Sequence, residues 1–271
     1  MRIATWNLNS VKARLPRLLS WLEDRQPDVL LVQETKATEQ SWPAAELSAL
    51  GYESAHLGNG RWNGVGILSR VGLTDVTRGL PGQPDFDGVV EDRALGATCA
   101  GIRLWSVYVP NGRVVGHQHF DYKLRFLQAL GTQCAAERVA LGPDAPYGLL
   151  GDFNVAPNDD DVWDIVAFDG STHVSAPERA ALAAVRQAGA GQPPLVDLMP
   201  RASIDPEDTR PPYTFWEMRM LGFQKGRGMR IDLALVSDPI ARTARSVWVD
   251  RDARRGEGPS DHAPLVLDLD V

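Results

Sequence analysis

Apolar and polar positions alternate over residues 2–7, the period of a strand with one buried face. Leu15, Leu18, Leu19 and Leu22 then recur at helical spacing behind Asn9 or Ser10, either of which can cap a helix, and Pro27-Asp28 ends it. Val29 to Val32 is a continuous apolar run, read as a buried strand that closes on Gln33-Glu34. A helix over Ala44 to Leu50 stops at Gly51. Strand-like pieces follow at 52–57, 65–69, 94–100 and 102–109, separated by glycines and prolines. Phe120, Leu124, Leu127 and Leu130 stay in phase along a longer helix from His119 to Leu141. Tyr147, Leu149 and Leu150 make a short buried strand, and Pro157 stops whatever follows it. A helix is expected near Pro177 to Ala188, a proline-rich loop over 201–212, and strands over Arg230 to Val236 and Pro264 to Val271. There is no solenoid repeat and no linker composition. Clusters of alternating strands and helices predict one α/β domain over residues 1–271, its sheets covered by helices.

Composition narrows the partners more than the fold. The chain of 271 residues is 44% hydrophobic and 23% charged, enough for a sizeable core. Its net charge of −7 argues against a protein that coats nucleic acid through an overall positive field. A local patch stays possible, and with lysine confined to Lys12, Lys36, Lys123 and Lys225 it would be built from arginine. Cys99 and Cys134 show no metal or disulfide spacing and read as buried thiols. With no signal-like start and no membrane-length apolar run, the expectation is a cytoplasmic protein without a membrane partner.

The chemistry lies at the strand ends. Asn7 and Glu34 close the first two strands. Tyr108 lies on a strand that runs into Pro110-Asn111-Gly112. The stretch Tyr147-Gly-Leu-Leu-Gly-Asp152-Phe-Asn154 delivers a carboxylate and a carboxamide. Asp232 opens another strand, and Ser260-Asp261-His262-Ala263-Pro264 precedes the last. Each placement alone is ordinary, because such residues suit turns, caps and surfaces. Their recurrence is not. Burying so many carboxylates is expensive unless a cation or hydrogen-bond donors compensate. Oxygen ligands at Glu34, Asp261 and Asn7, without cysteine or clustered histidine, point to Mg²⁺, with Mn²⁺ as a substitute, rather than zinc.

These pieces carry a resemblance that covers nearly the whole chain. Thr5-Trp-Asn7-Leu-Asn-Ser10, Leu31-Val-Gln33-Glu34-Thr-Lys36, Asn63-Gly64-Val-Gly-Ile-Leu68 and Tyr108-Val-Pro-Asn111-Gly112 appear in order. Gly151-Asp-Phe-Asn154-Val-Ala-Pro157, Tyr213-Thr-Phe-Trp216, Arg230-Ile-Asp232 and Ser260-Asp-His-Ala-Pro264 follow. Together they resemble exodeoxyribonuclease III, in the abasic-site endonuclease branch of the endonuclease/exonuclease/phosphatase superfamily. The resemblance implies a four-layer α/β sandwich, two facing mixed sheets with helices on the outer faces. It also implies a hydrolase of duplex DNA, cutting at abasic sites and at 3′ ends, and a monomer is the default expectation.

The implied roles follow residue by residue. Glu34 would be the main metal ligand, with Asn7, Asp261, Asp152 and Asn154 around it. Asp152 would orient or deprotonate the attacking water, and Asn154 would help position it. His262 would contact the scissile phosphate, held by Asp232, and Tyr108 would act near the phosphate or the leaving oxygen. Asn111 would contact substrate. Phe215, Trp216, Met229 and Ile231 would line a pocket for a flipped-out, baseless deoxyribose. Glu217 and Met218 depart from the family, where aspartate and tyrosine commonly follow the tryptophan. Arg251, Arg254 and Arg255, in the connection leading into Ser260-Asp261-His262, are the candidate phosphate contacts for a polyanion on an acidic protein. Two rivals stand beside this reading. Another phosphoesterase of the superfamily would share the acid–histidine set without needing the Phe215–Trp216 pocket. A non-catalytic nucleic-acid-binding module would be expected to lack Glu34, Asp152 or His262, and all three are present.

Overall fold

The computed structural model describes residues 1–187 and 189–270. Its strands in chain order begin with β1 (Arg2–Asn7), β2 (Val29–Gln33), β3 (Glu53–Leu57), β4 (Val65–Ser69), β5 (Thr74–Arg78), β6 (Ala94–Cys99) and β7 (Ile102–Tyr108). They continue with β8 (Tyr147–Asp152), β9 (Val196–Asp197), β10 (Phe215–Trp216), β11 (Gly228–Met229), β12 (Asp232–Val236), β13 (Ala244–Val249) and β14 (Leu265–Leu269). The helices are α1 (Val11–Arg25), α2 (Ala44–Ala49), α3 (Gln118–Leu141), α4 (Ala176–Arg186) and α5 (Asp238–Thr243). Ala188 and Val271, the expected ends of a helix and of the last strand, lie outside the described residues.

Two six-stranded sheets face each other, in the orders β13-β14-β1-β2-β4-β3 and β5-β6-β7-β8-β12-β9. Each is mixed, with one parallel pair, β1 beside β2 and β7 beside β8, among antiparallel neighbours. Ile3, Leu31, Ile67, Leu104, Leu150 and Ala234 meet in one core between the sheets. Leu18, Trp21 and Leu22 of α1 cover the outer face of the first sheet against Trp6, Leu30, Val32 and Trp248. Phe126, Leu127 and Leu130 of α3, with Leu182 and Val185 of α4, cover the second against Trp105, Leu149 and Leu233. This is the expected four-layer sandwich.

Parallel neighbours need a crossover, and α1 and α3 supply them. The crossovers return each chain to the same edge of its sheet, so Asn7, Gln33, Tyr108 and Asp152 all finish there. Ser10 caps α1, its hydroxyl accepting from the amide of Ala13. Five strands escape the hydrophobic pattern: β5, β13 and the two-residue β9, β10 and β11. β5 and β13 are edge strands, and their mixed polar faces have no period-two signal to read. On α3 the buried face is Phe120, Lys123, Phe126, Leu127 and Leu130, with Leu124 only half-buried. Thus a lysine occupies a core position.

Gly151 carries φ 149°, and a side chain there would collide with the Val107 carbonyl of β7. The β7–β8 pairing that brings Tyr108 opposite Asp152 therefore depends on a bare backbone. Gly151→Ala is expected to destabilise the fold by about 2 kcal/mol or more in urea titration. A parent-like midpoint would mean that the parallel pair can slide apart without loss.

Candidate active site

At that shared edge the side chains bond across the gap between the sheets. The Asn7 carboxamide donates to Glu34 Oε1 and to Asp152 Oδ2, both at 3.0 Å, and so ties an acid of one sheet to an acid of the other. Tyr108 donates its hydroxyl to Glu34 Oε1 at 2.8 Å. Burial and the neighbouring Glu34 carboxylate push this phenol well above its usual range, so it remains a donor. Lys36 Nζ lies 3.0 Å from Glu34 Oε2 and bonds Asn9, whose own amide donates to Asp261 Oδ1 at 3.0 Å. Beneath them, Gln33 donates to Thr5 and Ser106, one from each sheet. Asn9, Glu34, Lys36, Asn154 and His173 all have positive φ. Non-glycine residues held there cost energy, and their gathering around one cleft marks a built site.

His262 accounts for the charge balance. Its Nδ1 meets Asp232 Oδ2 at 2.7 Å, and its Nε2 faces Asp152 Oδ2 at 3.8 Å. Asp232 is fully buried and receives no hydrogen bond at Oδ1 within the described residues, so its charge is spent on the imidazole. Burial alone would lower the histidine's pKa, but Asp232 and then Asp152 and Asp261 outweigh it and raise it to about 10. Asp152 moves up to about 7, chiefly through burial; His262 opposes this, and Asp232 and Glu34 add to it. The result is an imidazolium facing a carboxylate that is poised between its two forms at neutral pH.

Asn154 and Asn111 form a second group. The Asn154 side chain donates to the Val109 carbonyl at 2.9 Å and to Asp152 Oδ2 at 3.3 Å, while its Oδ1 accepts from Asn111 at 3.2 Å. The Asn154 carbonyl accepts from Lys123 Nζ and from His173 Nδ1, each at 2.6 Å. Burial, then the Lys123 charge, lowers His173 to about 4, so it is neutral, protonated on Nδ1 and accepting at Nε2. Sequence reasoning missed both Lys123 and His173. A signal was available: Lys123 stands on the apolar stripe of α3, and Ser175-Ala-Pro-Glu178 is a capping-box pattern that Glu178 completes.

The apolar side of the cleft is only partly as expected. Phe215 pairs across β10–β11 with Met229, and its ring centroid lies 4.9 Å from that of His262. Met229 and Ile231 pack with Ala156 and Val162 in a small cluster against Phe215, Phe168 and Val174. Trp216 does not line it. Strand alternation turns this side chain to the other face, where it is fully buried under Phe223 and Arg251. Glu217 and Met218 stand exposed beyond it.

The arginine expectation also needs correction. Arg254 is buried, donates to the Ser260 carbonyl at 2.7 Å and lies over Phe223. Arg251 is likewise buried against Trp216 and Phe223. Both hold the connection in place from inside, because the single helical turn over 251–254 folds them under the aromatic pair. Arg255 alone of the three is exposed, and it pairs with Asp252 at 3.3 Å.

A hard cation fits this donor set. Glu34, Asp152, Asp232 and Asp261 outnumber Lys36 and His262, so an approaching anion meets net negative charge unless a cation binds. Among the described residues no three histidine, cysteine or acidic side chains are grouped as a cage. Mg²⁺ needs none, since it keeps several waters and takes one or two carboxylates. Facing sheets with an acid-rich, histidine-bearing cleft at their strand ends define a hydrolytic centre for esters of acids such as phosphate.

The chain belongs to the Endonuclease/Exonuclease/phosphatase family, whose model matches residues 4–262. It is 27% identical to exodeoxyribonuclease III of Haemophilus influenzae over 98% of both chains. Among solved structures it is similar to the 3′-5′ exonuclease NExo of Neisseria meningitidis, at 36% identity and TM-score 0.89 over 100% of each chain. An AP endonuclease from Archaeoglobus fulgidus is similar at 32% identity and TM-score 0.88, again over 100% of each.

Arg254→Gln is expected to lower stability by about 1–3 kcal/mol in thermal or urea melts, since it strips a buried carbonyl of its donor. The slope of log K for DNA against log[salt] should stay at the parent value. A slope reduced by about 0.9 with stability intact would return Arg254 to the phosphate contacts.

Proposed function

We propose that this chain is a DNA-repair hydrolase that cleaves phosphodiester bonds of duplex DNA, incising at abasic sites and removing nucleotides or blocking groups from 3′ ends. The observation that carries the reading is the convergence of Glu34, Asp152, Asn154 and the Asp232–His262 pair at one edge, with Phe215 against the imidazole. The relatives support it: besides those above, a 3′ phosphatase NExo from Neisseria, solved with a product DNA hairpin, is similar at 35% identity and TM-score 0.89 over 100% of each chain.

Asp152 orients the attacking water and takes its proton. Its raised pKa lets the carboxylate act as a base near neutral pH without being locked in the charged form. Asn154 and Asn7 fix that carboxylate by donating to Oδ2. His262, charged and held at Nδ1 by Asp232, offers its Nε2 proton to a phosphate oxygen. Glu34 would hold Mg²⁺, with Asn7, Asp152, Asn154 and Asp261 as the further oxygen donors of the cleft. The bound cation would supply charge neutralisation at the phosphate and the leaving oxygen. Phe215, Met229 and Ile231 favour a baseless sugar by shape, since the small apolar cluster leaves a base no polar partner.

Labelled duplexes that are intact, nicked or abasic, compared with a soluble phosphate ester, test the assignment. Cleavage of the soluble ester alone would move the chain to a different phosphoesterase activity. EDTA is expected to abolish DNA cleavage, and Mg²⁺ or Mn²⁺ to restore it, with Glu34→Ala inactive yet still able to bind DNA. Full activity in chelator would remove the metal. Asp152→Asn keeps the shape and loses the basic oxygen, so kcat should fall by about 10²–10⁴-fold with substrate affinity little changed. A variant that instead binds DNA far more weakly would make Asp152 structural.

A further inference from the structure

Lys123 is a lysine with no exposed surface, on the core face of a long helix. Desolvating an ammonium is expensive, and an apolar side chain of similar length would fill the position more cheaply. What the ammonium does that an apolar group cannot is donate. Its Nζ reaches the Asn154 carbonyl at 2.6 Å, the Asn111 carbonyl at 3.2 Å and the carboxylate of Glu178. Both carbonyls belong to the residues whose carboxamides meet beside Asp152.

Glu178 is equally enclosed and equally committed. Oε1 accepts from Lys123, from Thr172 Oγ1 at 2.7 Å and from the His173 amide at 2.9 Å; Oε2 accepts from the Ser175 amide and hydroxyl. The ion pair, between α3 and α4, thus joins three further pieces of chain: the loop after β7 at Asn111, the turn after β8 at Asn154, and the 172–175 segment that brings His173 onto the Asn154 carbonyl. Asn154 and His173 both have positive φ, at 51° and 79°. Asn and His enter that region more readily than most residues but are not confined to it, and the clamp around them fixes it here.

We propose that Lys123 and Glu178 are positioning residues for catalysis: the buried pair holds Asn154 in its left-handed conformation, and through it aligns the carboxamides of Asn154 and Asn111 with Asp152. Neither touches substrate. The proposal rests on the hydrolytic reading of the cleft and deepens it, by placing part of the alignment of that site in a charge pair one layer behind it.

Lys123→Met tests it directly but strands the Glu178 charge. The double variant Lys123→Met/Glu178→Gln removes both charges with shape kept, and is the informative protein. It is expected to fold, with kcat on the best DNA substrate of the parent reduced by about 100-fold, as for a small misplacement of a reacting group, and KM within about threefold. Its crystal structure should show Asn154 out of the left-handed region. Glu137→Gln serves as a control for destabilisation alone, since Glu137 ties α3 to Arg103, Trp105 and Tyr147 on the second sheet, and not to the cleft. It should keep the parent kcat. A folded double variant with parent kcat and Asn154 unmoved overturns the proposal, as does a rise in KM alone. If the parent cleaves no DNA, the functional reading fails instead, and the backbone of Asn154 in the double variant still decides whether the pair holds it.

Discussion

One carboxamide holds the cleft together. Asn7 donates one amide group to Glu34 from its own sheet and to Asp152 from the facing sheet. Without it the two carboxylates would face each other across the gap with no shared donor to offset their repulsion. Sheet packing alone cannot fix such a distance, because apolar contacts are non-directional and tolerate sliding. The polar bridges at this edge (Asn7 above, Gln33 with Thr5 and Ser106 below) turn a hydrophobic sandwich into a frame with a defined register at one end. The catalytic geometry depends on that register.

Much of this was legible in the order of the residues. A strand end at a shared sheet edge is a position that a polarity pattern can reveal, so Asn7, Glu34, Tyr108, Asp152 and Asp232 could be placed before any coordinate was known. The helices α1 and α3, with their apolar stripes, were legible for the same reason. What was not legible depends on which way a side chain turns in an irregular segment. Trp216 and Phe215 are neighbours in a two-residue strand, and only the paired register shows that one faces the cleft and the other the core. Arg254 and Arg255 are neighbours too, yet the single helical turn buries the first and exposes the second.

The misplaced arginines share a physical lesson with the overlooked lysine. A cation in the sequence of an acidic, polyanion-binding protein invites assignment to the ligand. In this fold Arg251, Arg254, Arg230 and Lys123 are all buried, and they serve backbone carbonyls, aromatic rings or the protein's own carboxylates. Arg230 alone joins the turn at Asp161 to Asp197 through paired bonds to both acids. Long cationic side chains suit this work because they carry several donors at the end of a reach that can cross a layer. Loops that form the rim of a cleft have few ladder partners, so their carbonyls need donors from elsewhere.

That use of charge bears on how an acidic surface can serve a polyanionic substrate. With a net charge of −7 the protein offers a polyanion no overall attraction at long range, and recognition falls to the cleft itself. There the fixed positive charges are His262 and Lys36, each already matched to a carboxylate. A phosphate entering this cleft has to displace or share those partners, which is favourable only if further positive charge arrives with it or before it. If the site holds the divalent cation proposed for it, that cation would serve substrate recognition as well as the chemical step. The donors that fix Asp152 and Asn154 are neutral amides or lie buried one layer back, so no exposed cation of the protein fills the place that a metal and a phosphate would share on the proposed reading.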